Sequence, residues 1–224
     1  ARSVGISGLT QARKPESCFN DASSVLEIGA AEGAFLAHLR AMHSDLALAA
    51  IEPDESTRQQ RDAITGLQHF ATLEAAVDSG LTVDAICLFH VFEHLTDPAE
   101  WLSSARRLLT PGGKIIIEVP SLDDPLLSLF RLAAYRNFYF QRQHPFVYSA
   151  ASLRRVLEYN GFSVDIIPYQ RYGMENHLAW LSKGKPGGNA EFGSIFGCCE
   201  TDYIEALEAR GLTDTVFAIA KAVI

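Results

Sequence analysis

Apolar residues fall in short blocks along this chain, and their period changes from block to block. Val25-Leu26-Glu27-Ile28, closed by Gly29, has the length and make-up of a buried strand. Ala34 to Arg40 places Phe35, Leu36 and Leu39 at helical spacing. Leu46 to Ile51 is a second strand run, closed by Glu52-Pro53-Asp54. Glu55 to Ile64 predicts a helix and Leu67 to Phe70 a short third strand; Thr72 caps a helix running to Val77. Asp84 to His90 is a fourth strand. Asp97 as cap and Pro98 at the first helical position open the next helix, which carries Trp101, Leu102, Leu108 and Leu109. It stops at Pro111-Gly112-Gly113, and Lys114 to Val119 predicts a fifth strand. Strand and helix therefore alternate, the mark of a parallel sheet covered by helices on both faces.

The pattern loosens after residue 120. Leu122 to Tyr135 is apolar and predicts a helix, and residues 135 to 148 are dense in Tyr and Phe. Ala150 to Tyr159 is a helix ended by Asn160-Gly161. Phe162 to Pro168 and Thr215 to Val223 predict the last two strands. A long glycine-containing insertion separates them, and insertions of that length in compact domains are usually functional or mobile. The first twenty residues lack periodic apolar positions and read as a loose arm or short helix.

Composition narrows the class. With 48% hydrophobic and 21% charged residues, the 224-residue chain has ordinary globular usage. Its 19 basic and 27 acidic residues give a net charge of −8, which argues against nucleic acid as a partner. No run is long enough to span a membrane. Ala1 to Leu9 lack the apolar core of a signal peptide, and without an initiator Met the chain reads as processed or trimmed. Cys18, Cys87, Cys198 and Cys199 form neither a disulfide framework nor a zinc spacing, so a cytoplasmic location is expected and no metal. Cys198-Cys199 reads as a buried pair. The expectation is one domain over 1–224: an arm (1–23), a ligand-binding core (24–120) and an acceptor-side part (121–224).

The chemistry concentrates at strand ends. Glu27-Ile28-Gly29-Ala30-Ala31-Glu32-Gly33 joins the first strand to the first helix, where open parallel sheets bind ligands. A dinucleotide fingerprint requires glycines at 29, 31 and 34, and only Gly29 matches. Glu27 and Glu32 flank the turn and repel a pyrophosphate; they suit a cationic ligand such as S-adenosylmethionine. Glu52, nineteen positions after Gly33, can accept hydrogen bonds from both hydroxyls of a ribose. The alternative readings are a ligand-free turn and a helix-capping acid.

These residues, with the segment Asp84 to Leu95 and Leu109-Thr110-Pro111-Gly112-Gly113, resemble the class I S-adenosylmethionine-dependent methyltransferases of the small-molecule and sugar type. The likeness covers roughly residues 24 to 120 and departs at Ala31, where the family often has glycine. It implies an α/β, Rossmann-like sheet of seven mostly parallel strands with helices on both faces and an antiparallel last strand. It implies S-adenosyl-L-methionine as cofactor. Glu27, Gly29, Ala30, Ala31 and Gly33 would hold its amino-acid part, Glu52 and Pro53 its ribose, and Thr72 and Leu73 its adenine. His90 and Phe92 would lie beside the methyl group.

Methyl transfer to oxygen or carbon also needs a base, and histidine suits that task near neutrality. His90, Glu93 and His94 follow the fourth strand; local capping is the alternative reading. His144, in Gln143-His144-Pro145-Phe146-Val147-Tyr148-Ser149, resembles the base of sugar C-methyltransferases, although Gln143 replaces the usual acid. Tyr139, Tyr148, Asn176 and His177, together with Glu93, are the expected acceptor contacts; core packing and a homodimer contact are the alternatives for the aromatic stretches. The expected function is methyl transfer to a small molecule, a sugar or glycan precursor among the candidates. The rival readings are a non-catalytic cofactor-binding domain and a nicotinamide-dependent oxidoreductase.

Overall fold

The computed structural model describes residues 18, 19, 21–187 and 190–223. Seven strands form one sheet in the order β3-β2-β1-β4-β5-β7-β6. They are β1 (Ser24–Ile28), β2 (Ala47–Ile51), β3 (Leu67–Phe70), β4 (Val83–Phe89), β5 (Leu109–Pro120), β6 (Phe162–Tyr169) and β7 (Thr215–Ala222). The first five pair in parallel, and β7 runs antiparallel to both β5 and β6. The expected architecture is therefore observed.

Alternate residues of the central strands serve opposite faces. Val25, Ala85, Cys87 and Ile116 face Phe35, Leu36 and Leu39 of α1 (Ala34–Met42). Leu26, Ile28, Ile86, Leu88 and Ile117 face Leu73, Leu102 and Leu153. These last three belong to α3 (Leu73–Asp78), α4 (Pro98–Arg106) and α7 (Ala150–Tyr159), while α2 (Arg58–Asp62) follows β2. Both faces are apolar, so the period of two is hidden in a continuous hydrophobic run. Each fully buried aliphatic side chain contributes roughly 1.5–3 kcal/mol.

Several boundaries differ from expectation. The helix predicted over Leu122 to Tyr135 is broken into α5 (Pro125–Ser128) and α6 (Ala133–Tyr139). Asp124 caps α5 over Pro125, and Arg131, at φ 50°, turns the chain between the two. Pro111-Gly112-Gly113 lies within β5, where the register with β4 shifts; Gly112 takes φ 83° to permit the bulge. The insertion between β6 and β7 is helical: α8 (Met174–Lys183), α9 (Ala190–Phe196) and α10 (Glu200–Glu208). Its glycine run begins with Gly184, the left-handed cap of α8. Cys198 and Cys199 are exposed rather than buried, on the turn between α9 and α10. Most of the predicted arm lies outside the described residues, but Cys18 and Phe19 pack into the core beside Phe35. Among the described residues no helix is long and apolar enough to cross a membrane.

Candidate active site

Strand order reverses between β1 and β4, which opens a crevice beyond their carboxyl ends. The β1–α1 loop lines one side. Gly29 and Gly33 take φ 70° and 79°, a region that costs a side-chain-bearing residue. A Cβ on Gly29 would stand 2.5 Å from Val91 Cγ2, and one on Gly33 would stand 2.8 Å from Ile64 Cδ1. Ala31 takes φ 45°, so alanine occupies a position that suits the glycine of the family pattern. The Gly29 amide donates to Ile51 O at 2.8 Å, tying the loop to β2.

Glu52, at the end of β2, accepts from Ala31 N at 2.8 Å through Oε2 and from Asp54 N at 2.8 Å through Oε1. Each oxygen keeps a second lone pair. Sequence reading missed Arg61, which lies beneath and is almost fully buried. It donates to the Ala31 carbonyl and, at 3.3 Å, to the Asp54 carbonyl. One guanidinium thus ties both loops together. Its position in a short, polar helix gave no signal of burial.

Glu27 is 5% exposed, and its Oε2 has no hydrogen-bond partner among the described residues. Burial, and then the negative charge of Glu52, push its carboxyl well above the usual range. An unpartnered carboxylate at the switch point lacks a cation. The ammonium of an amino acid supplies one, so the donor set fits S-adenosyl-L-methionine. Thr72 caps α3 by accepting from Ala75 N at 3.2 Å, and Leu73 beside it is buried; Pro53 is exposed and Ala30 buried.

Beyond β4 the residues divide. Phe92 is wholly buried, packed edge-on against Trp101 and against Tyr148, so its side chain belongs to the core and not to the cofactor crevice. His90, at φ 56°, is strained backbone of the kind found at functional sites. Its Nε2 contacts Arg171 and lies 3.2 Å from Glu118 Oε1; its Nδ1 lies 3.6 Å from Glu93 Oε1. Burial opposes a charged ring, but the bonds to Glu118 and Glu93 outweigh it and hold the pKa up to about 9. Arg171 also donates to Glu118 Oε1 at 3.3 Å. Neither Glu118 nor Arg171 was expected; only Glu118, a charge within an otherwise apolar strand, left a trace in the sequence.

His94 Nδ1 is 2.7 Å from the Gln143 carbonyl and so donates to it, which leaves Nε2 as the acceptor. The ring centroids of His94 and His144 are 4.8 Å apart. Partial burial holds His144 below the ordinary histidine value, against the opposing pull of Glu93. His144 borders a cavity of about 150 Å³, along with His90, Phe138, Tyr139, Arg171 and Asp214. Tyr148 is buried nearby with its hydroxyl unpartnered among the described residues; burial and Glu93 push its pKa up to about 12. A larger cleft, about 320 Å³, lies among α8, α9 and α10, with Glu175 and Glu200 as its charged lining. It shares no lining residue with the smaller cavity, and no histidine lines it.

The structure does not bring Asn176 and His177 to the cavity wall. Asn176 Oδ1 accepts from Gly187 N at 3.3 Å. His177 is buried in α8 with Nδ1 at 2.5 Å from the Tyr203 hydroxyl and Nε2 at 3.3 Å from Gln170 Nε2. Its pKa is lowered by burial to about 4.

A sheet of this order, with a glycine turn, an acid at the end of β2 and a buried carboxylate oxygen without a partner among the described residues, has the Rossmann-like architecture. The chain belongs to the methyltransferase-domain family, whose model matches residues 7–165. It is a methyltransferase dependent on S-adenosyl-L-methionine. A methyltransferase of this kind from Archaeoglobus fulgidus is 23% identical, with a TM-score of 0.63 over 96% of this chain and 92% of that one. One from Thermotoga maritima is 18% identical (TM-score 0.58; 95% and 87% covered). The plantazolicin methyltransferase BpumL, solved with S-adenosylhomocysteine and a monoazolic desmethylPZN analog, is 15% identical (TM-score 0.59; 94% and 79% covered). No curated protein sequence matches the chain.

Proposed function

We propose that the protein methylates a small-molecule acceptor seated in the cavity beside His144. The observation that carries this reading is His144 in the cavity wall, with the His94 ring 4.8 Å from its own. At about 150 Å³ the cavity has room for one ring-sized molecule. Liquid water occupies ~30 Å³ per molecule, so such an acceptor displaces roughly five waters. Tyr135, Phe138 and Tyr139 supply flat apolar walls that suit a sugar ring or planar acceptor, and a sugar or glycan precursor remains the favoured class.

The bound cofactor supplies an electrophilic methyl group on a sulfonium. The chain supplies the rest. Glu27 balances the cofactor's ammonium, Glu52 holds its ribose hydroxyls, and Gly29 and Gly33 let the backbone approach. His94 and His144 each present a ring nitrogen that makes no hydrogen bond among the described residues, and they act on the acceptor atom. His90 keeps its proton near neutral pH and positions Glu93 and Glu118 instead of serving as the base. Aromatic walls exclude water from the reacting atoms, and proximity provides much of the rate.

The test is a screen of nucleotide sugars and hydroxylated metabolites for methyl transfer from labelled cofactor. Turnover on one of them, lost in His144→Ala with S-adenosylhomocysteine binding kept, is the expected result. Binding of S-adenosylhomocysteine without turnover on any acceptor would favour the non-catalytic reading.

A further inference from the structure

We propose that Glu93, His94 and His144 form a binding site for a divalent transition-metal ion, open towards the acceptor cavity. One ligand atom from each lies within 4.8 Å of the others. Tetrahedral donors ~2.1 Å from one ion stand ~3.4 Å apart, so closure requires up to about 1.4 Å of movement. His144 can supply it, because its ring makes no hydrogen bond among the described residues and borders the open cavity.

Two further observations point to a cation. Glu93 is 2% exposed, and its Oε2 has no hydrogen-bond partner among the described residues. A buried carboxylate oxygen without a donor is costly unless something positive meets it. The His90 ring meets the other oxygen, Oε1, at 3.6 Å, but neither His94 nor His144 approaches Oε2 closely enough for an ion pair. The second observation is His94 itself. Its Nδ1 is held by the Gln143 carbonyl, which fixes the tautomer and aims Nε2 outward, as the outer shell of a metal-bound histidine does.

The donor set names the ion class. Two imidazoles and one carboxylate favour manganese, iron, cobalt, nickel or zinc over magnesium and calcium, which prefer all-oxygen shells. Three protein ligands leave a position free, and His144 places it at the cavity edge. Resting on the acceptor reading above, an acceptor oxygen fills that position and is polarised there. The ion lowers the pKa of the acceptor hydroxyl, whose proton leaves to solvent before the oxygen takes the methyl group from the sulfonium, so the two histidines act on the acceptor through the ion.

The test uses the full chain, stripped with chelator and titrated with Co²⁺, followed by visible absorption and calorimetry. We expect one Co²⁺ per chain with a spectrum that reports imidazole ligation. His144→Ala should weaken binding by more than the ~10-fold that loss of an outer-shell partner costs, and Glu93→Gln likewise. His43→Ala, an exposed histidine elsewhere, should leave it unchanged. S-adenosylhomocysteine binding checks that each variant is folded. Equal Co²⁺ affinity in the wild type and His144→Ala overturns the metal site. Failure of the wild type to bind S-adenosylhomocysteine overturns the assigned cofactor contacts and leaves the metal result standing on its own.

Discussion

The two ends of the catalytic crevice are built by different means. The cofactor side is main chain: glycine turns, amides given to Glu52, and carbonyls held by Arg61. The proposed acceptor side is side chain, and its anchors are buried acids. Asp214 accepts from Arg171 N, Tyr172 N, Gln170 Nε2 and Thr215 Oγ1, all at 2.8–2.9 Å. Asp124 accepts from Tyr135 OH at 2.6 Å and caps α5. A main-chain cradle fits a cofactor of fixed shape. A wall of side chains can be rebuilt for another acceptor while the sheet beneath stays the same. Changes on the acceptor side should therefore cost folding stability, and changes on the cofactor side should cost binding.

Asp214→Ala should show the largest effect. It strands four donors in a buried place, and losing one member of such a network costs ~3–5 kcal/mol. At this chain length that corresponds to a fall in Tm of about 10 °C. Calorimetry checks it; an unchanged Tm would mean the acceptor wall does not depend on this carboxylate.

His177→Gln comes next and tests the same region through pH. The folded pKa of His177, about 4, lies below the ordinary 6.5. Below 6.5 the unfolded chain takes up the proton first. Stability is therefore full above pH 6.5 and falls as pH drops towards 4, by about 3 kcal/mol from this group. Gln keeps a donor and an acceptor for Gln170 and Tyr203 and does not titrate. Unfolding curves from pH 7 to 4 should be flatter for the variant, and parallel curves would sink the assignment.

The same division explains what was legible in the sequence. Strand runs, caps and the Glu27–Gly33 turn are local, so alternation and spacing disclose them. The broken helix at Arg131 is not, because Leu122 to Tyr135 is uniformly apolar and the break depends on Asp124 and a left-handed turn. Phe92 looked available to a ligand in the sequence, but Trp101 and Tyr148 bury it. The meeting of His94 with His144 joins positions fifty residues apart (144 − 94), which no spacing rule encodes. The helices of the insertion were hidden by its glycines, one of which ends α8.

On the cofactor side, Gly29→Ala should weaken S-adenosylhomocysteine binding roughly 10- to 100-fold with a smaller change in Tm. The left-handed backbone costs alanine ~1–2 kcal/mol, and its Cβ meets Val91 Cγ2. Adding Val91→Ala removes that clash and should restore part of the affinity, which calorimetric titration can read. No recovery in the double variant would mean that backbone strain alone carries the loss.

Glu27→Gln gives the smallest effect and the sharpest contrast. Burial and Glu52 raise the carboxyl of Glu27, so in the free protein its charge opposes folding. An acid raised in the folded state gives stability that is present at low pH and lost as pH rises towards its folded pKa. The amide removes that loss, so free Glu27→Gln should be at least as stable as the wild type near neutral pH. The cofactor ammonium favours the ionised carboxylate, so the variant should bind S-adenosylhomocysteine about 10-fold more weakly, the worth of one charge-assisted hydrogen bond. Wild-type binding should release a proton at pH values below the raised pKa of Glu27, and the variant's should not. Titration in buffers of different ionisation enthalpy measures this directly. A variant that is destabilised yet binds normally would make Glu27 a structural acid, and the buried charges on the two sides of the crevice would then be alike.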